Sequence, residues 1–157
     1  KKIKTSGKKI FNLKTGDTFT QETSPALANR PFTVTAQIEK LPAQGVIVAQ
    51  GGSSSGWSLY LKDKQLHFTI RRGGKPITTS APLPANASGR FEARVTRKGI
   101  ILRADNKRLT MTEGNALLSS HPLDSLEVGQ DNGGIVGDYQ EGFKLSVPLK
   151  SLQIAIK

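Results

Sequence analysis

The sequence predicts an all-β protein, one domain built from two antiparallel sheets packed face to face. Two observations carry this. Apolar and polar residues alternate with a period of two through most of the chain, the pattern of half-buried strands whose successive side chains point to opposite faces. The alternating runs are short and separated by turn residues, so they join as hairpins. Each strand then has one polar and one apolar face, which requires a second sheet to cover the apolar one.

Taken in order, residues 32–39 give the clearest register, with Phe32, Val34, Ala36 and Ile38 inward and Thr33, Thr35, Gln37 and Glu39 outward. A compact apolar run follows at 45–50. Segment 57–62 sends Trp57, Leu59 and Leu61 to one face, 66–71 sends Leu66, Phe68 and Ile70, and 90–96 sends Phe91, Ala93 and Val95. Shorter runs at 100–104, 108–112 and 125–128 and a last one at 149–156, with Leu152, Ile154 and Ile156 inward, bring the expectation to nine strands or more. Asp63-Lys64, Arg72-Gly73-Gly74-Lys75-Pro76, Lys98-Gly99 and Asp105-Asn106 supply residues that accept positive φ or bond their own backbone. Segments 79–88 and 113–124 resist the alternation and are expected to be loops, the second long enough for one helical turn. Trp57, the single tryptophan, is expected in the core beside Phe32, Phe68 and Phe91.

At 157 residues the chain can bury a core without staples. Cysteine is absent, which excludes disulfides and thiolate metal sites. No apolar run approaches the roughly 18–20 residues that span a bilayer, and no membrane partner is expected. Lys+Arg number 23 against 12 Asp+Glu, for a net charge of +11. Lys1, Lys2, Lys4, Lys8, Lys9 and Lys14 precede any acid and leave +5 for the remainder. The chain therefore divides into a basic segment or leading strand at 1–16 and a sandwich domain at 17–157.

Gly45-Val-Ile-Val-Ala-Gln-Gly-Gly52 followed by Gly56-Trp-Ser-Leu-Tyr60, with Val128-Gly-Gln-Asp-Asn-Gly-Gly-Ile-Val-Gly-Asp-Tyr139 later in the chain, resembles the C-terminal concanavalin A-like, laminin-G-like module of bacterial arylsulfatase-type sulfatases. The likeness covers roughly 32–157. It implies a jelly-roll sandwich of the lectin and glucanase type, acting as an accessory module that packs against a sulfatase catalytic domain or binds carbohydrate. It also carries the expectation of an exported protein, periplasmic or extracellular, and, if the parent chain is longer, of a sulfatase as that parent. The sulfatase nucleophile motif, C/S-x-P-x-R, is absent, so the family's chemistry does not transfer to this chain.

The residues themselves point away from catalysis. Jelly-roll glycoside hydrolases set two carboxylates on one strand about 5 Å apart, whereas Glu39, Glu92 and Glu113 stand alone. Arg90-Phe-Glu-Ala-Arg94 and Gln65-Leu-His67 look similar to motifs of jelly-roll alginate lyases, but in reversed order. A lyase or hydrolase of acidic polysaccharides is thus the rival reading to a non-catalytic module. His67 and His121 lie apart, which disfavours a transition metal. Asp131 and Asp138, in a glycine-rich loop, are the candidates for calcium. Basic residues are not interleaved with aromatics, so nucleic acid is not an expected partner. Tyr60 and His67 occupy outward positions, as do Arg71, Arg94 and Arg103; with Arg72, Lys75, Arg97, Lys98, Lys107 and Arg108 in or beside turns, the basic charge is expected to form one face. That face would take a sulfated or uronic-acid polysaccharide.

Overall fold

A computed structural model describes residues 7–157; the lysines at 1, 2 and 4 lie outside them. In chain order the strands are β1 (Ile10–Leu13), β2 (Thr18–Phe19), β3 (Phe32–Ile38), β4 (Gly45–Gly51), β5 (Ser55–Lys62), β6 (Gln65–Arg72), β7 (Lys75–Pro82), β8 (Arg90–Thr96), β9 (Gly99–Ala104), β10 (Lys107–Glu113), β11 (Leu126–Val128) and β12 (Leu149–Ile156). They form two six-stranded antiparallel sheets, the first ordered β1-β12-β3-β8-β9-β10 and the second β2-β11-β4-β5-β6-β7. The fold is the all-β two-sheet sandwich that the alternation predicts, of the jelly-roll kind that the resemblance implies, with no helix among the described residues.

The tight turns carry the expected chemistry. Asp63-Lys64, Gly73-Gly74 and Asp105-Asn106 join β5 to β6, β6 to β7 and β9 to β10, and all six residues have positive φ. Two consecutive left-handed residues give the turn whose twist matches that of the flanking strands. Two local expectations fail. Residues 75–82 form a full strand, because Thr79 and Ala81 alternate inward with Thr78 and Ser80 outward; Pro76 and Pro82 obscure a pattern in which the buried positions are small. Segment 113–124 contains no helical turn. Within the basic lead-in, Ile10–Leu13 pairs with β12 and buries Phe11 and Leu13.

Burial follows the alternation on the inner faces: Phe32, Val34, Ala36 and Ile38 of β3 meet Leu59, Leu61, Phe68 and Ile70 of the other sheet in one continuous core. Trp57 lies at its centre, its ring 5.5 Å from that of Phe32 and 5.9 Å from that of Phe68. Its indole N–H donates to Gln50 Oε1 at 2.9 Å, so the one polar atom of the ring is satisfied inside the core. At one side of the sandwich the edge strands β7 and β10 adjoin, and Thr79 Oγ1 donates to Thr112 Oγ1 at 2.5 Å across the sheets.

Trp57→Ala empties a fully buried site and is expected to cost about 3–5 kcal/mol, measured as a shifted urea midpoint. The native tryptophan emission should sit well to the blue of the unfolded chain; a native spectrum of water-exposed indole would contradict this placement.

Candidate functional site

Three surfaces combine polar side chains with shape: the covered outer face of the second sheet, the open outer face of the first, and one end of the sandwich. The outer face of the second sheet is unusual because β5 is buried on both sides, Ser58 and Tyr60 as completely as Leu59 and Leu61. Residues 129–143 lie across it. Val46, Ala49 and Tyr60 make a second small apolar cluster beneath this loop, with Tyr139 and Phe143 packed on it. Tyr139 meets Tyr60 edge-on at 4.8 Å and stacks with Phe143 at 5.5 Å. Gly137 passes between the two tyrosines, where an added Cβ would sit 2.5 Å from Tyr139 and 2.6 Å from Tyr60. The two segments that carry the sulfatase resemblance are therefore in contact, one forming β4 and β5 and the other the loop over them.

Two buried acids hold the loop. The Glu127 carboxylate accepts the backbone N–H groups of Asn132 (2.6 Å) and Gly133 (3.0 Å) and the side-chain amide of Gln130 (3.0 Å). Asp131 Oδ2 accepts the Val136 N–H at 3.1 Å and a short hydrogen bond from the Tyr139 hydroxyl, which also lies 2.9 Å from Ser58 Oγ. Burial raises the Asp131 carboxyl above the usual carboxylate range, against the opposing effect of those two bonds. Burial first, and the Asp131 charge next, push the Tyr139 hydroxyl upward too. From the sheet, Arg71 Nε donates to Val136 O at 2.8 Å and the Tyr60 hydroxyl accepts the Asp138 N–H at 3.2 Å.

These contacts reassign most of the sequence candidates. Tyr60 points to the outer side of its sheet as expected, but it is 1% exposed and offers no stacking platform, because the loop covers it. His67 stacks on Tyr60 at 4.9 Å; its Nε2 donates to Lys62 O at 3.1 Å, which leaves Nδ1 to meet Ser80 Oγ at 2.6 Å. Arg71 is a clamp on the loop. Asp131 and Asp138 do not converge on a shared cation position: Asp131 turns inward to Tyr139, whereas the Asp138 side chain is 95% exposed and pairs with Lys62 Nζ at 3.4 Å. No group of three or more potential metal-binding side chains occurs among the described residues.

Nor does the basic charge gather on one face. Arg71 belongs to β6 of the second sheet, Arg94 and Arg103 to β8 and β9 of the first, and Arg72 donates to Leu117 O at 2.6 Å at one end. The hairpins of β5–β7 and those of β8–β10 lie in different sheets, a crossover that hairpin spacing does not disclose. The same separation keeps the two lyase-like motifs apart, since His67 and the Arg90-Glu92-Arg94 row face opposite sides of the molecule.

The outer face of the first sheet remains open. Antiparallel register aligns Arg94 with Thr33, Glu92 with Thr35 and Arg90 with Gln37 on one side, and Glu92 with Arg103 on the other. Arg94 forms an ion pair with Glu92 at 3.0 Å and Arg103 lies 3.9 Å from the same carboxylate. One acid thus stands among Arg90, Arg94, Arg103 and, next to Arg103 in register, Arg108. Beside them Asn12, Thr35, Ser151 and Gln153 line a polar depression of about 240 Å³ that reaches Arg90.

The third surface is a trough at the end carrying the β5–β6 turn, where hollows of about 570, 440 and 380 Å³ adjoin. Its walls are the 41–44 segment, the Asp63-Lys64 turn, the 83–87 connection and the outer end of the 129–143 loop. Sequence reasoning missed it, because none of these loops is informative until the topology brings them together.

No protein-family model and no curated protein sequence matches the chain. Solved structures do. The Ruminococcus gnavus IT-sialidase CBM40 aligns with a TM-score of 0.59 at 12% identity over 94% of this chain and 90% of its own, and its complex with α2,3 sialyllactose gives 0.60 at 13% over the same shares. Domains LG4-5 of the mouse laminin α1 chain align with a TM-score of 0.62 at 14% identity over 91% of this chain and 39% of theirs. At such identities the likeness establishes a shared jelly-roll, laminin-G-like fold.

Because the folded state holds a proton on Asp131 more tightly than the unfolded chain, this group favours the fold fully below its ordinary value of 3.8, and the contribution is lost as pH rises through the raised one. The stability of the native chain relative to Asp131→Asn should therefore decline from acid to neutral pH in paired thermal melts. A difference constant with pH would show that burial does not govern this carboxyl.

Proposed function

We propose that this protein is a non-catalytic carbohydrate-recognition module that holds an anionic glycan on the outer face of its first sheet. The observation that carries the reading is the row of Arg90, Arg94, Arg103 and Arg108 around the single acid Glu92, bordered by Thr33, Thr35, Gln37 and Gln153. Guanidinium groups recognise sulfate and carboxylate by paired N–H donors in a fixed plane, while hydroxyl and amide side chains are suited to sugar hydroxyls. A cation-rich face also draws polyanions from a distance. The fold shared with a sialidase's CBM40, solved with a sialylated sugar, is compatible with this use. So is the position of Asp131, the carboxyl whose pKa burial raises, which faces Tyr139 and loop backbone instead of an open cleft.

Sulfated or uronic-acid polysaccharide is the ligand class this face suits, and the sulfatase resemblance of 45–60 and 128–139 supports a place beside a sulfatase-type catalytic domain in an exported enzyme. There the module would raise the local concentration of substrate.

Affinity for a sulfated polysaccharide should fall steeply between about 50 and 200 mM salt, where the screening length contracts. Arg94→Glu with Arg103→Glu should weaken it by about tenfold or more, a loss of roughly 1.4 kcal/mol. Arg94 is exposed and Arg103 partly so, at 44% and 30% of the side chain, and a melting curve of the double variant checks that the fold is retained. Lys1, Lys2, Lys4, Lys8 and Lys9 are changed to Gln in both proteins so that the basic segment does not mask the result. Equal binding of sulfated and neutral polymers by calorimetry would refute the assignment.

A further inference from the structure

The geometry points to a second ligand site in the trough at the β5–β6 turn, one that takes several units of a neutral oligosaccharide. It is independent of the arginine face, which lies on the outside of the other sheet.

Charge sets the class of ligand. The trough is lined by two cations and two carboxylates: Lys62 with Lys64 and Asp63 with Asp138. Lys62 is already committed, its Nζ donating to Asp138 O at 2.9 Å and pairing with Asp138 Oδ2 at 3.4 Å. A surface so balanced produces no net field to hold a polyanion. What it offers instead is an aromatic wall and a set of polar groups spread along it. Half-buried Tyr139 and Phe143, stacked on one another, line the largest hollow, and the exposed side-chain amides of Gln44 and Gln140 stand beside them with the exposed carboxylate of Asp63. Sugar rings present an apolar C–H face to an aromatic ring and hydroxyl edges to amides and carboxylates, so this combination fits pyranose units.

Shape sets the length. The hollow at Phe143 shares Gln44 and Asp63 with the next, and that one shares Pro42, Ala43 and Lys64 with the third. The largest lies within the roughly 300–1,000 Å³ of ordinary ligand sites, and the continuation past it accommodates a chain in place of a single ring. The walls are fixed before any ligand arrives. Gln44 and Ser146 exchange bonds, Gln44 N to Ser146 Oγ at 3.0 Å and Ser146 N to Gln44 O at 2.8 Å. Leu83 N donates to Lys64 O at 3.1 Å. Segments distant in sequence are thus tied across the trough, and binding need not order them.

The test is a titration of the full chain with neutral hexasaccharides of glucose, mannose and galactose, followed by amide chemical shifts. Saturable shifts are expected at Gln44, Asp63, Gln140 and Phe143 with at least one sugar, with an affinity unchanged between about 50 and 500 mM salt. Phe143→Ala should weaken binding by about tenfold. Should its melting curve show a disrupted fold, Gln44→Ala, at an exposed position, decides in its place, with a loss of severalfold expected. The proposal is overturned if none of the sugars gives saturable shifts, if the shifts fall on Thr35, Arg94 and Gln153, or if the deciding variant binds like the native chain. Failure of the arginine face would instead appear as loss of sulfated-polymer binding with these shifts intact.

Discussion

A glycine-rich loop laid across a sheet has backbone N–H groups and no ladder to pair with, and water is excluded from its underside. Its order depends on finding acceptors there. Glu127 and Asp131 provide them, the first taking two successive amides and the second an amide and the Tyr139 hydroxyl. From that capture follow the burial of Tyr60, the second apolar cluster, the use of Arg71 as a clamp and the position of Tyr139 and Phe143 at the end of the sandwich. A buried carboxylate is costly unless hydrogen-bonded, so acid and loop support each other: the loop's amides offset the burial of the acids, and the acids add to the backbone bonds that hold the loop against the sheet.

The sandwich therefore has two dissimilar outer faces. On the second sheet, polar strand residues are spent on internal bonds, such as Tyr60 to Thr69 at 3.2 Å and Thr69 to Thr78 at 2.9 Å. On the first sheet the corresponding positions remain open to solvent. One domain thus separates a polar layer used in internal bonds from a polar layer left open to solvent, with a third, charge-neutral surface at the loop end.

How far this was legible in the sequence depended on the range of the interaction. The inner faces of β3, β5, β6 and β8 could be read from alternation alone, since period-two patterning is local, and so could the turns at Asp63-Lys64 and Asp105-Asn106. Tyr60 shows where that reasoning stops. Its direction was correct, but its burial depends on Gly137 and Tyr139, more than seventy positions further along the chain. The expected basic face failed for the same reason: Arg71 and Arg94 are near in sequence, yet the chain changes sheets between β7 and β8. Asp131 read as a calcium ligand because a ligand loop and an acid-anchored loop share the same residues, and only the direction of the side chain distinguishes them.

The contact of β7 with β10 across the sandwich bears on how the edges of the two sheets are covered. An exposed edge strand is a template for another chain. At the β7–β10 side each sheet shields the other's edge, and a hydroxyl–hydroxyl bond ties them. The opposite side ends on β1, which is only four residues long and is flanked by exposed Lys8, Lys9 and Lys14. Lys8 lies 4.7 Å from the Phe11 ring on that strand. Short length and like charge both oppose edge-to-edge addition of a second copy. The lysines of the lead-in thus set like charge along the edge of the first sheet that no neighbouring strand covers.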